Sequence, residues 1–221
     1  YTDKLIYDKY GDLFKDFKNL KLYILEIEDF YISNILDDIN LTFPKNKKNT
    51  KDTYKFFKLM LSKTFFLEKT IKNTNSTHYS WIDFGILKII KESEYDLFYN
   101  SIKKISNYNE YNIKFPSIKE WHDFYVNNEY NNTDYRNLNN ENDHIIKNHP
   151  SWLFLGGLLT GSKESLLIFI KEVNNFIHRL KELKYIIWEV NVWSYVYLFS
   201  CKDIMTPYFS DNHDIKMFSN F

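Results

Sequence analysis

Alanine and glutamine are absent from this chain of 221 residues, and cysteine occurs once, at Cys201. A single thiol excludes an intrachain disulfide and a cysteine-based zinc site. It favours a cytoplasmic setting without excluding a lumen. The five glycines form no Gly-x-Gly-x-x-Gly turn and no Walker loop, and no zincin motif occurs, which excludes the common signatures of dinucleotide binding, nucleotide hydrolysis and zinc proteolysis. Only two of the 29 basic residues are arginine, Arg136 and Arg179, and the 29 acidic residues bring the formal net charge to zero. No nucleic-acid partner is expected, because phosphate binding draws on a basic excess. The longest apolar runs fall far short of a membrane span, and no signal peptide is visible. The chain opens on Tyr1 rather than Met, which leaves room for a targeting segment lost with a missing end.

What is present is aromatic. Phe, Trp and Tyr make up 19% of the chain, within a composition 44% hydrophobic and 26% charged, the globular range. Lys, Asn, Tyr, Phe and Ile are the residues that A- and T-rich codons favour, so part of this content reports the genome. Aromatics interleaved with lysine in YKFFKLMLSK (54–63) resemble a single-strand platform, but read better as a helix with a solvated lysine face. Asn-x-Ser/Thr acceptors at Asn40, Asn75 and Asn131 are what an Asn-rich chain produces by chance.

The hydrophobic pattern alternates between helix and strand periods, so the class is α/β. Leu5, Ile6, Tyr10, Leu13, Phe14 and Phe17 predict a helix over 1–20, and KLYILEI (21–27) predicts a strand. EDFYISNILDDI (28–39) reads as a short helix or loop, and 43–50 as an exposed loop. One amphipathic helix is expected from Asp52 to about Thr70. YSWIDFG (79–85) reads as a strand entering a Gly turn, followed by a helical stretch to Ile105. Residues 106–150 read as a long loop region covering a site. PSWLFLGGLLTG (150–161) is an apolar strand broken by Gly156 and Gly157, and 162–184 is a helix with Ser162 as N-cap. The β-branched and aromatic IIWEVNVWSYVYLF (186–199) suits a strand on propensity.

Within WIDFG, Asp83 is a single carboxylate among large apolar residues, and a buried Asp needs a cation, a set of donors or a metal. It sits at a strand's end, where α/β sheets place ligands; a turn or capping role competes. SDNHD (210–214) puts Asp211, His213 and Asp214 in one turn, suited to Mg²⁺ or Mn²⁺ or to plain solvation. The other histidines, His78, His122, His144, His149 and His178, show no ligand spacing. Gly156 and Gly157 suit a bulge or close backbone approach to a ligand. Glu189, set between apolar runs, is a candidate base or hydroxyl acceptor if buried, or a surface residue at a helix start.

Taken in order, YKFFKLMLSKTFFLEKTI, WIDFGI, FLGGLLTGSKESLLIFIKEVNNFI, WEVNVWSYVYL and YFSDNHD resemble the HtrL/YibB-like family, glycosyltransferase-like proteins tied to bacterial surface polysaccharide. The resemblance implies a GT-A-like fold, a mixed sheet flanked by helices, as one domain over 1–221 whose first strand lies before Tyr1. It implies a metal-assisted transfer of sugar from a nucleotide-diphosphate donor to a glycan, lipid-linked or protein acceptor. Carried over, Asp83 and His213 hold Mn²⁺ or Mg²⁺, Lys63 and Asp83 contact the donor, and Trp81, Gly156 and Gly157 line the acceptor side. Glu189 is the catalytic base, and 188–199 becomes a helix against its propensity. The motif departs from the family pattern in having one carboxylate, followed by Phe84 and Gly85. A non-catalytic glycan-binding domain of the same fold is the alternative, and it expects Asp83 to pair with a lysine. A lysine-and-aromatic nucleic-acid binder is the more distant one.

Overall fold

The sheet has the order β1-β3-β2-β4 in the computed structural model, which describes residues 1–2, 4–37, 40–127 and 147–221. Its strands are β1 (His78–Ile82), β2 (Ile113–Ser117), β3 (Leu158–Ser162) and β4 (Met205–Phe209). β3 runs antiparallel to both neighbours, while β2 and β4 are parallel. The chain is thus mixed α/β, with helices against the sheet. Among the described residues no helix is long and apolar enough to cross a membrane.

β2 lies inside the stretch expected to be loop. Pro116 masks it, because proline cannot donate to a ladder and is unusual within a central strand. It is tolerated because the β2–β3 pairing is confined to Lys114 and Thr160. Beyond that point the Leu155 N–H donates to the Pro116 carbonyl at 3.0 Å instead. Residues 128–146, with Asn131, Arg136 and His144, lie outside the described residues, and so does the site-covering role expected of that region.

The amino-terminal helix is shorter than its pattern predicts. α1 (Lys4–Tyr10) gives way to a 3₁₀ turn at Gly11–Phe14, and the apolar face is exposed, with Leu5 77% and Leu13 67% accessible. The strand expected over 21–27 is reduced to one bridge between Thr2 and Ile24. α2 (Tyr31–Leu36) buries Ile32, Ile35 and Leu36. The single helix expected after Asp52 is two, α3 (Tyr54–Leu61) and α4 (Lys63–Asn73). They break at buried Ser62, whose hydroxyl donates to the Lys58 carbonyl at 2.7 Å, the i−4 back-bond that bends helices. The break turns Lys63 inward as the first residue of α4.

α5 (Tyr95–Ser106) and the short α6 (Lys119–His122) precede β3. The strand expected over 150–161 is regular only from Leu158. α7 (Lys163–Glu182) starts where predicted, with the Ser162 hydroxyl accepting from the Ser165 N–H at 3.2 Å. Its predicted stripe, including Leu166, Phe169, Val173 and Leu180, is buried; each such side chain contributes about 1.5–3 kcal/mol. α8 (Glu189–Val196) is helical, as the resemblance and not propensity implied, and continues as a π-helical turn at Tyr197–Cys201. α9 (Lys216–Ser219) closes the chain.

Alternation on β3 sends neighbouring side chains to opposite faces. Leu159 joins the main core with Phe57, Phe115, Phe169 and Trp193, and Leu158 joins a second cluster with Phe98, Met217 and Phe218 under α5 and α9.

Candidate functional site

Three element ends meet beside Gly156: the start of α4, the end of β1 and the start of α8. Lys63 reaches the junction from α4 with its side chain 3% exposed. Its ammonium donates to Asp83 Oδ2 at 3.0 Å, to Glu189 Oε1 at 2.9 Å and to the Gly156 carbonyl at 3.0 Å. The Trp193 ring lies 5.8 Å from the same nitrogen. Three acceptors match the three N–H groups of an ammonium, so the cation is fully satisfied where water cannot reach it. Burial pulls the Lys63 pKa down, but Glu189 and Asp83 outweigh it and hold the pKa above the ordinary lysine value.

Asp83 follows the last residue of β1 and precedes a 3₁₀ turn at Phe84–Ile89, yet its side chain makes no capping bond. It turns back instead, accepting from Trp81 Nε1 at 2.6 Å on Oδ1 and from Lys63 on Oδ2. The Asp83 N–H donates to the Gly157 carbonyl at 3.0 Å, fastening the strand's end to the two glycines. This answers what accompanies a carboxylate among apolar residues: a lysine and an indole. The partner expected by the non-catalytic alternative is the one observed.

Glu189 is the first residue of α8 and its side chain is 8% exposed, which rules out the surface position. Gly156 makes room for it. A Cβ there would lie 3.0 Å from Glu189 Oε1, 3.0 Å from Val190 Cγ1 and 3.4 Å from Lys63 Nζ. Gly156 and Gly157 are both buried, so they shape the junction from within rather than face an open cleft. Lys63 is too enclosed to touch a donor directly. Trp81 is half-buried, stacked on Phe66 at 6.1 Å. Asp83, 30% exposed, is the member of the cluster open to solvent.

His213 stands on the turn between β4 and α9, exposed. Its pKa is lowered, first by partial desolvation and then by the Lys63 and Lys51 cations, against the pull of Asp83 and Asp214. Lys51, a cation that no sequence motif singled out, acts on the same imidazole. The remaining carboxylates of SDNHD serve the turn: Asp211 pairs with Lys216 and Asp214 accepts from the Lys216 N–H. His78 is bonded to the Glu110 carbonyl, His149 to Asn46 and His178 to Tyr31.

The cluster holds one cation and two carboxylates, an excess of one negative charge. No group of three or more His, Cys, Asp or Glu that could hold a metal occurs among the described residues. The fit to a divalent ion is accordingly partial. Asp83 is 30% exposed, each of its oxygens keeps a second lone pair, and the excess charge favours a cation. A lone carboxylate of this kind suits a largely hydrated Mg²⁺ or Mn²⁺. Two surface concavities of about 370 Å³, one lined by Trp121 and Phe124 and one lined by Arg179 and Tyr195, lie elsewhere. Comparison with protein-family profiles, curated proteins and solved structures finds no match to the chain.

Proposed function

We propose that this chain is a GT-A-like domain of the HtrL/YibB-like kind, which binds a nucleotide-diphosphate sugar and transfers the sugar to an acceptor hydroxyl. The observation that carries the reading is the convergence of Lys63, Asp83 and Glu189 at Gly156. A fold alone does not establish an activity; residues far apart in sequence meeting with excess charge at a strand's end are stronger support.

In this reading the roles differ from those the resemblance assigns. Lys63 is a positioning residue that holds both carboxylates in register. Asp83 is the group presented to the ligand, with Trp81 fixing one oxygen and offering its ring edge to a sugar. Asp83 and His213 would hold a divalent ion, which, when bound, neutralises charge on the departing diphosphate. Glu189 faces Lys63 inside the junction and takes a proton only from an acceptor that displaces that contact. A glycan, lipid-linked or protein acceptor fits the reading equally.

The Lys63–Asp83 pair at 3.0 Å favours a second reading, a glycan-binding domain in which the cluster is purely structural. A thermal-shift panel of uridine, guanosine and cytidine diphospho-sugars, with and without Mn²⁺, separates the two. A donor at a hundred times its Kd adds about 2.7 kcal/mol to stability. A shift that needs both Mn²⁺ and Asp83, lost in Asp83→Asn, supports transfer chemistry. No shift with any donor refutes it, and stabilisation by free oligosaccharides alone supports the second reading.

A further inference from the structure

A groove of about 370 Å³ runs between α7 and the end of α8, away from Lys63. Glu172, Asn175, Phe176 and Arg179 line it from α7, at the helical spacing that puts residues on one face. Tyr195, Phe199 and Ser200 line it from the other side. Its floor is ordered: the Phe176 and Tyr195 rings stack at 4.0 Å, Phe199 lies 4.7 Å from Tyr195, and Arg179 Nη1 donates to the Tyr195 hydroxyl at 3.1 Å. The α-helix opens into its π-helical turn at Tyr197–Cys201, which carries Phe199 and Ser200 into the groove. Such turns cost helix regularity and recur at functional sites. Arg179 also breaks the chain's strong preference for lysine, and a guanidinium offers a planar fork of donors that an ammonium lacks.

We infer that this groove is a saccharide-binding site. A pyranose has an apolar C–H face and a rim of hydroxyls that both donate and accept. The half-buried Phe199 ring, seated on the buried Phe176–Tyr195 stack, meets the first, and the planar amide, carboxylate and guanidinium of Asn175, Glu172 and Arg179 meet the second. The volume matches one or two sugar rings, at the small end of ligand sites. The inference rests on the reading that the chain handles sugars, and it adds a place for the acceptor glycan away from the transfer site.

The test is an array of immobilised neutral, amino and uronic-acid oligosaccharides, probed with wild type, Glu172→Ala/Asn175→Ala, Phe199→Ala and Asp83→Asn. The groove positions of the double variant lie on the outer side of α7, so a melting temperature equal to wild type serves as the folding control. Expected is binding of at least one oligosaccharide class that Asp83→Asn retains and that each groove variant weakens about tenfold or more, the loss of one to two hydrogen bonds or a stacking face. Glycan binding lost in Asp83→Asn and unchanged in the groove variants would overturn the groove while leaving the transferase reading intact. Failure of wild type to bind any oligosaccharide also overturns the groove, and the sugar-nucleotide panel then judges the transferase reading alone.

Discussion

Replacing Lys63 with methionine keeps most of the side chain's volume and removes its charge. The ammonium it deletes is 3% exposed and is the ion-pair partner of Glu189 at 2.9 Å and Asp83 at 3.0 Å. Removing one member of a buried pair costs about 3–5 kcal/mol, because the charge left behind has no water and no counter-ion. Glu189, at 8% exposure, suffers most; Asp83 keeps Trp81 and solvent. In a domain stable by about 5–15 kcal/mol, this loss is readable by urea unfolding followed on the tryptophans. A carboxylate stranded in this way takes up a proton instead, so the deficit of Lys63→Met shrinks as pH is lowered. Lys63→Met/Glu189→Gln should recover much of the loss, since neutral groups of similar shape often replace a buried pair without penalty. In wild type the lysine's raised pKa means that its contribution is whole below the ordinary value of 10.5 and is lost only as pH rises through the higher folded value. A loss below about 1 kcal/mol, the size of an exposed pair, or a double variant no more stable than the single, would refute the picture of a buried compensated cluster.

Gly156→Ala should destabilise by about 1–3 kcal/mol, because its Cβ meets the Glu189 carboxylate and Val190 at 3.0 Å each; a lowered melting temperature checks this. Lys184 ends α7 with φ of 57°, its N–H and that of Tyr185 bonded back to Lys181 and Leu180, a helix stop that favours glycine. Lys184→Gly should therefore gain about 1 kcal/mol, read by thermal unfolding. His122, against the Phe209 ring, has its pKa pulled below the ordinary 6.5, mainly by burial. The unfolded chain then takes the proton first, so stability falls as pH drops from 6.5 through the folded value. His122→Asn should flatten that part of a stability-versus-pH curve.

Local pattern carried the elements whose burial is one-sided and whose caps are standard. The stripe from Leu166 to Leu180 and the Ser162 cap placed α7 to within two residues. It failed where tertiary contacts overrule propensity. EVNVWSYV becomes a buried helix because α8 is packed on all sides, where period and propensity have little to report. β2 was hidden by Pro116, and the break at Ser62 by an unbroken amphipathic run. Of the site, Asp83 and Glu189 stood out as carboxylates among apolar residues, Gly156 and Gly157 as paired glycines and His213 within SDNHD, while Lys63 came from the resemblance alone. What no pattern could supply was their connection: that Lys63 points inward depends on the helix break before it, and that Asp83 declines its capping role depends on an ammonium brought from twenty residues upstream.

We propose that the open side of Asp83 takes a cation completed by a nucleotide's phosphates. The most direct measurement is the electron paramagnetic resonance signal of Mn²⁺ titrated with the protein, in the presence and absence of uridine, guanosine or cytidine diphosphate. Little uptake by the protein alone, one equivalent in the presence of a nucleotide beyond what the nucleotide itself binds, and its loss in Asp83→Asn are the predicted results. No nucleotide-dependent uptake, or uptake that Asp83→Asn leaves unchanged, would refute a cation site at Asp83.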